Sequence, residues 1–146
     1  MPKISVVMSA FNEESHIKNA ILSIQNQTFQ DWELVIVDDG SSDHTLDIIK
    51  KLAELDNRIV LIINNQNMGL AKSLNKGIYA SKGQYIARMD ADDYSLPNRL
   101  SSQLNFMEIN QNISVLGTGA TYCDSNGKKL QYINFPEHHN DIVRFL

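Results

Sequence analysis

The sequence predicts an α/β fold in which a mostly parallel sheet is flanked by helices and followed by a β-hairpin near the C-terminus. Over residues 3–110, short apolar runs rich in Val and Ile alternate with segments whose apolar residues recur at helical spacing. This alternation is typical of parallel sheets, because each crossover between parallel strands is usually made by a helix. After residue 112 the alternation stops, and two strand-like segments surround the turn sequence DSNGK;.

Four strands are predicted from the short apolar runs. They are KISVVMSA (3–10), WELVIVDD (32–39), IVLIIN (59–64) and QYIARMD (84–90). Strands covered by helices on both faces should be buried along most of their length.

Four helices are predicted between and after these strands, over residues 12–27, 43–55, 69–81 and 96–110. Asn12 and Asp43 are the expected N-caps of the first two, and Pro97 falls in the first turn of the fourth. The third helix is expected to pack on the sheet through one stripe of residues. That stripe contains Leu70, Leu74, Gly77, Ile78 and Ser81.

The C-terminal part is predicted to form a hairpin from residues 114–124 and 129–135, with Asn126 and Gly127 in its turn;. The final segment, HNDIVRFL, has the pattern of a first helical turn, which would be unstable alone;. We therefore interpret residues 1–146 as a single domain that is truncated at its C-terminal end.

The composition excludes several classes of protein. A net charge of −4 and a pI of about 5.5 argue against nonspecific nucleic-acid binding, which depends on clustered Lys and Arg;. The single cysteine, Cys123, permits no intrachain disulfide and is expected to serve in packing;. Neither a signal peptide nor a bilayer-spanning stretch is recognisable. We expect a cytoplasmic protein, with peripheral association at the inner face of the membrane left open for the full-length protein.

Polar loops follow all four predicted strands, and ligands of open parallel sheets bind at this edge. The loops are SAFNEE, DDGSSD, NNQNMG and DADD. Two of them carry adjacent acids, which repel each other unless a cation neutralises them. Carboxylate oxygens suit Mg²⁺ or Mn²⁺, and such ions commonly bridge to phosphates. These loops therefore predict a divalent metal bound together with a diphosphate.

Simpler explanations exist for the same residues. The acids of DDGSSD and DADD are also compatible with helix caps or solvated turns. A calcium-binding loop that begins at Asp90 fits poorly, because Ser95 and Ser101 stand where Gly and Glu are required;. His138 and His139 fall in a polar loop and are expected to be exposed rather than to bind a metal.

Four segments in their order and spacing closely resemble the inverting glycosyltransferases of family 2, which have the GT-A fold. The segments are SVVMSAFNEE, QTFQDWELVIVDDGSSDHT, NMGLAKSLNKGIYASKGQYIARMDADD and PNRLSSQ. The resemblance runs from about Ile4 through the strand predicted at 114–122. It implies transfer of a sugar from a nucleotide donor, usually UDP-linked, to a hydroxyl of a saccharide or lipid-linked acceptor, with inversion, in polysaccharide or glycoconjugate biosynthesis.

The resemblance also implies roles for individual residues. In this interpretation Phe11 stacks on the nucleobase beside Ser9 and Ala10, and Glu13 lines the same pocket. Further roles follow the same match: Asp39 accepts a hydrogen bond from uracil N3–H, Asp90 binds ribose or a metal-bound water, and Asp92, with Asp93 as the alternative, ligates Mn²⁺ or Mg²⁺. By the topology, Lys72 and Arg88 are expected near the same strand ends, where either could meet the diphosphate, with a solvated Lys72 as the alternative. Asp38 is expected to orient the turn instead.

No acid in residues 111–146 matches the general base of this family, so we expect the base to lie beyond residue 146 and the fragment to turn over poorly. Two other functions are considered. A sugar nucleotidyltransferase usually has a Gly-rich basic loop after its first strand, whereas SAFNEE is acidic and lacks glycine. A noncatalytic α/β module remains the other alternative, although a receiver-like arrangement of acids does not fit the first and third strands.

Overall fold

The computed structural model describes residues 1–124, 127–137 and 140–141. The chain divides into two compact units, Met1–Leu104 and Asn105–Leu146. The strands are β1 (Ile4–Ala10), β2 (Trp32–Asp38), β3 (Ile59–Ile63), β4 (Tyr85–Arg88), β5 (Ala120–Cys123) and β6 (Lys129–Ile133). The helices are α1 (Ile17–Gln25), α2 (Thr45–Leu55), α3 (Leu70–Ala80) and α4 (Arg99–Ile109).

The first unit is built on a four-stranded sheet in the order β3-β2-β1-β4. All three pairings are parallel, with Ile4 opposite both Trp32 of β2 and Tyr85 of β4. The sheet is covered best at its centre, where β2 is buried along its whole length and β1 nearly so. The predicted α/β fold with a parallel sheet is therefore confirmed, and all four polar loops lie at the carboxyl edge of this sheet.

The first helix begins five residues later than predicted, because Asn12 does not cap it. Asn12 takes a left-handed backbone conformation with φ of 55°. Its backbone N–H donates to Ser41 Oγ, and its side chain accepts from the Ser42 N–H. The N-cap of α2 is His44 rather than the predicted Asp43, although Asp43 Oδ1 accepts from the Thr45 N–H at 3.0 Å. Pro97 lies two residues before α4 rather than in its first turn.

The predicted inward stripe of α3 is largely wrong. The buried residues of this helix are Ser73 and Gly77, whereas Leu70 and Ile78 are 52% and 46% exposed. A Cβ atom on Gly77 would lie 2.6 Å from Val7 Cγ1. The helix therefore approaches β1 closely through its small residues, and this approach leaves its larger apolar residues at the sides.

The second unit contains the predicted hairpin, in which β5 and β6 pair antiparallel. Gly127 has a φ of 78°, and its N–H donates to the Asp124 carbonyl, which closes the turn. Asn126, His138 and His139 lie outside the described residues, as do residues 142–146 of the predicted final helix. Cys123 is exposed, so its expected packing role is wrong. In the described part of the chain, no helix has the length and apolar character needed to cross a membrane.

Candidate functional site

A cleft of about 390 Å³ lies in the first unit at the carboxyl ends of the sheet strands. Its walls come from the end of β1, the loops after β2 and β4, and the segment that leads into α3. The lining residues are Ser9, Phe11, Glu13, Asp39, Asn67, Gly69, Leu70, Asp90, Ala91 and Asp92. Six of the residues predicted from sequence are thus brought to one place, although they come from separate parts of the chain.

Four predicted residues do not line the cleft. Ala10 is fully buried, and its carbonyl accepts a hydrogen bond from the Asp39 N–H. Lys72 is exposed on α3. Arg88 and Asp93 are also exposed and flank the lining residues of the loop after β4. We therefore keep a direct donor contact for these four residues as a prediction only.

The loop that carries Phe11 and Glu13 is tied to the loop before α2. Glu13 N donates to Thr45 Oγ1 at 2.7 Å, and Glu14 N donates to Asp43 Oδ2 at 3.1 Å. In return, the Glu14 side chain accepts from the His44 N–H. Phe11 is 44% exposed and lines the cleft, while these hydrogen bonds fix the backbone of the residues that follow it.

Asp39 is only 2% exposed, and its carboxylate organises the loop between β3 and α3. Its Oδ1 accepts from the Met68 N–H and from Asn64 Nδ2, and its Oδ2 accepts from the Gly69 N–H, each at 2.8 Å. Burial alone would raise the pKa of Asp39, but the hydrogen bonds from Met68, Asn64, Ser73 and Gly69 lower it below the ordinary value. This buried side chain is therefore held as a carboxylate at the floor of the cleft.

Two neighbours of Asp39 shape the same turn. Asp38 Oδ2 accepts from the Ser41 N–H at 3.3 Å, which agrees with its predicted role in orienting the turn. Gly40 has a φ of 76°, and a Cβ atom there would lie 2.8 Å from the carbonyl carbon of Gln66. Only glycine satisfies both the backbone conformation and this close approach.

The loop after β4 contains a cluster of acidic and basic side chains. Arg88 Nη2 lies 2.6 Å and 2.8 Å from the two carboxylate oxygens of Asp90. Arg99 Nη2 donates to the Arg88 carbonyl at 2.7 Å. Burial, followed by the charges of Asp92 and Asp90, raises the pKa of Asp93. Negative charge is thus in excess on the cleft side of this loop.

Arg99 was not predicted as a site residue. Burial lowers the pKa of its guanidinium, and the nearby Asp93 opposes that effect. Its only signal in the sequence is its place in the segment PNRLSSQ. Its contact with the backbone of Arg88 shows that it helps to fix the end of β4.

The chemistry of the cleft fits a divalent cation that is shared with a phosphate ligand. Four of the ten lining residues are acidic, namely Glu13, Asp39, Asp90 and Asp92, and none of the ten is basic. Within the described residues, no group of three or more His, Cys, Asp or Glu side chains could hold a metal by itself. Mg²⁺ is commonly held by only one or two carboxylates together with waters and substrate phosphates. Asp92, which is exposed and lines the cleft, is suited to that role.

Residues 5–145 match the family model described as Glycosyl transferase family 2. The chain belongs to this family. Among its relatives is the Escherichia coli enzyme UDP-Glc:alpha-D-GlcNAc-diphosphoundecaprenol beta-1,3-glucosyltransferase WfaP. The two sequences are 39% identical over 108 residues, which cover 74% of this chain and 42% of WfaP. The chain spans 36% and 46% of the length of two further curated relatives, glycosyltransferases of Haemophilus influenzae and Methanocaldococcus jannaschii.

Solved structures of GT-A type share the fold. S. aureus TarS 1–349, in complex with UDP-GlcNAc, aligns with a TM-score of 0.70 and 28% identity, covering 75% of this chain and 32% of TarS. The mannosyltransferase PcManGT from Pyrobaculum calidifontis, in complex with GDP-Man and Mn²⁺, aligns with a TM-score of 0.68. Its 23% identity, over 84% of this chain and 35% of PcManGT, supports a common fold.

Proposed function

We propose that this chain forms the donor-binding part of a metal-dependent, inverting glycosyltransferase that uses a UDP-sugar. The observation that carries the proposal is the cleft that Phe11, Asp39 and Asp92 line together. An aromatic ring can stack on a nucleobase, and a buried carboxylate can accept a hydrogen bond from the N–H of the base. An exposed carboxylate can hold the metal that binds a diphosphate. Membership of family 2 supports the same reaction class.

The nucleoside is proposed to bind against the end of β1 and the floor of the cleft. Phe11 stacks on the base, with Ser9 and Glu13 beside it. Asp39 is the acceptor for the N3–H of uracil, because the hydrogen bonds that hold it keep it ionised;. Asp90 contacts the ribose or a metal-bound water, and we assign its ion-pair partner Arg88 to the diphosphate.

The diphosphate is proposed to lie beside Asp92, with Asp93 as the alternative ligand for Mn²⁺ or Mg²⁺. A bound divalent ion supplies positive charge that stabilises the departing nucleoside diphosphate. Asp92, or Asp93 as the alternative, would hold that ion, whose charge would offset the repulsion between the diphosphate and the acids of the cleft. Lys72, exposed on α3, is a second candidate to meet the phosphate oxygens.

The acceptor is proposed to be a saccharide or a lipid-linked glycan, as for the diphosphoundecaprenol-linked acceptor in the name of WfaP. Its hydroxyl attacks the anomeric carbon from the face opposite the diphosphate, and this inverts the configuration. The step requires a general base close to the acceptor oxygen. Donor binding does not require that base, so it is the property to measure on this chain.

Isothermal titration of UDP, with and without Mn²⁺, tests the proposal directly. UDP should bind the folded chain, and Mn²⁺ should strengthen the binding. Absence of binding in both conditions, with the fold verified by circular dichroism, contradicts the proposal and favours a noncatalytic module.

Incubation with UTP and a sugar 1-phosphate provides the matched control. Release of pyrophosphate there would indicate a nucleotidyltransferase instead.

A further inference from the structure

Asn64 connects Asp39 to a lysine that lies outside the cleft. It directly follows β3 and is 3% exposed. Its Nδ2 donates to Asp39 Oδ1 at 2.8 Å and to Ser73 Oγ at 2.9 Å, while its Oδ1 accepts from Lys76 Nζ at 2.7 Å. Its backbone N–H donates to the Asp38 carbonyl, which fixes the start of the loop. Asn64 itself does not line the cleft.

The orientation of the Asn64 amide follows from the chemistry of its neighbours. An ammonium group can only donate hydrogen bonds, and an ionised carboxylate can only accept them. The amide oxygen must therefore face Lys76, and the amide nitrogen must face Asp39. If the amide were flipped, its oxygen would face the carboxylate of Asp39 and its nitrogen would face the Lys76 ammonium, so both contacts would be repulsive. Lys76 thus determines which group Asn64 presents to Asp39.

We propose that Asn64, oriented by Lys76, is a positioning residue that determines nucleobase specificity by holding Asp39 as a pure hydrogen-bond acceptor. This inference rests on the proposed function, because it assumes that Asp39 faces the base. The other donors to Asp39 are the backbone N–H groups of Met68 and Gly69 and the Ser73 hydroxyl, which substitution of Asn64 does not remove. Loss of Asn64 should therefore change the protonation and rotation of the carboxylate more than the course of the loop.

Uracil and cytosine have nearly the same shape, so a difference in their binding reports whether Asp39 is an ionised acceptor rather than how well the base fits. Uracil presents an N3–H donor to an ionised carboxylate, whereas cytosine presents an N3 lone pair, which repels it. A carboxyl group that gains a proton more easily, or that rotates, accepts cytosine at lower cost. A site built to accept a hydrogen bond rejects an analogue that lacks the donor, because its buried polar group is then left unpaired.

The experiment compares UDP and CDP binding, by titration calorimetry with Mn²⁺ present, in four proteins. They are the wild type, Asn64→Leu, Lys76→Met and Lys50→Met, where Lys50 is an exposed residue of α2 outside the cleft. We expect the wild type and Lys50→Met to prefer UDP by the same factor. Asn64→Leu should reduce the ratio of the two affinities at least tenfold, and Lys76→Met should reduce it in the same direction by a smaller factor.

The outcomes separate this inference from the proposed function. If UDP binds all four proteins with an unchanged preference over CDP, the role of Asn64 is refuted while the donor site stands. If the wild type binds neither nucleotide, both proposals fall together. Should Asn64→Leu not fold, Lys76→Met decides alone, because its side chain lies at the exposed surface of α3 and its replacement leaves Asn64 in place. An unchanged ratio in that variant overturns the inference.

Discussion

Arg88 and Asp90 form a two-point ion pair, in which one guanidinium nitrogen of Arg88 lies within 2.8 Å of both carboxylate oxygens of Asp90. From the sequence, Arg88 is expected to meet the diphosphate, and Asp90 is expected to bind the ribose or a metal-bound water. The pairing offsets part of the charge of Asp90, whereas among the described residues Asp92 has no ion-pair partner at the cleft. A metal ion should therefore be attracted to Asp92 more strongly than to Asp90.

Replacement of Arg88 by Met should weaken UDP binding about tenfold and leave uridine binding unchanged. The guanidinium is expected to meet phosphate oxygens and not the base, and a charge-assisted hydrogen bond is worth about 1.5–3 kcal/mol. The side chains of the pair are 56% and 41% exposed, so its loss should change the free energy of unfolding by less than about 1 kcal/mol;. Calorimetric titration of UDP and NMR titration of uridine measure the two effects. Equal losses for both ligands would argue against a phosphate contact.

Asp92→Ala should abolish the dependence of UDP binding on Mn²⁺ without unfolding the domain. The carboxylate is exposed in the cleft, so its removal should change the free energy of unfolding by no more than about 0.5 kcal/mol;. The measurement is UDP titration with and without Mn²⁺, with urea unfolding in parallel. Asp47→Ala, which removes an exposed acid of α2, is the control and should retain the wild-type response to Mn²⁺. A normal Mn²⁺ response in Asp92→Ala would exclude this residue as the ligand.

The strands of the sheet were predictable because short runs of apolar residues indicate buried strands. Each strand of the parallel sheet begins and ends within two residues of its predicted bounds, and the antiparallel hairpin follows the turn sequence. The beginnings of α1 and α4 were predicted too early. The Asn12 side chain accepts from the Ser42 N–H instead of capping α1, and the Pro97 carbonyl accepts from the Thr28 hydroxyl ahead of α4. Such contacts join residues far apart in the chain, and local sequence carries no signal for them.

The candidate site was predictable only for residues whose chemistry indicates a role at a ligand directly. Adjacent acids after buried strands indicated Asp39, Asp90 and Asp92, which do line one cleft. Asn64 and Arg99 were missed because each acts through another residue rather than at the cleft surface. The packing of α3 was also missed, although a glycine in the middle of a helix often signals a close approach to another element.

Gly77→Ala should destabilise the protein by about 1–3 kcal/mol, although alanine favours a helix by about 1 kcal/mol over glycine. The added Cβ would lie 2.6 Å from Val7 Cγ1 and 3.4 Å from Val37 Cγ2, and β-branched side chains in a buried strand cannot rotate away easily;. Urea unfolding measures the loss. The double variant Gly77→Ala/Val7→Ala should recover part of it beyond additivity. Strictly additive effects would show that α3 does not meet the sheet at this point.

Acid should remove the stability that comes from Asp56 and Arg58, which lie at the edge of the sheet opposite the cleft. The Arg58 side chain, with Gln25, holds the pKa of Asp56 well below its ordinary value despite burial. Between the folded and unfolded pKa values the folded state binds fewer protons, so the contribution is complete above about pH 4 and is lost as the pH falls. Arg58 also stacks on the Trp32 ring at 3.7 Å, so its position does not depend on Asp56 alone.

Asp56→Asn should therefore lower the free energy of unfolding by about 1.5–3 kcal/mol at pH 7, because the charge-assisted hydrogen bonds to Arg58 are weakened;. The difference from the wild type should shrink steadily below about pH 4, because the unfolded wild-type chain then binds a proton at Asp56 while the folded chain keeps this carboxylate ionised;. Urea unfolding at pH 7, 5, 4 and 3 measures this convergence, with Asp47→Asn as an exposed control that changes little. UDP binding should be unchanged in Asp56→Asn, because the two edges of the sheet are separate. If the difference in unfolding free energy stays constant down to pH 3, the ion pair does not set the acid sensitivity of the fold.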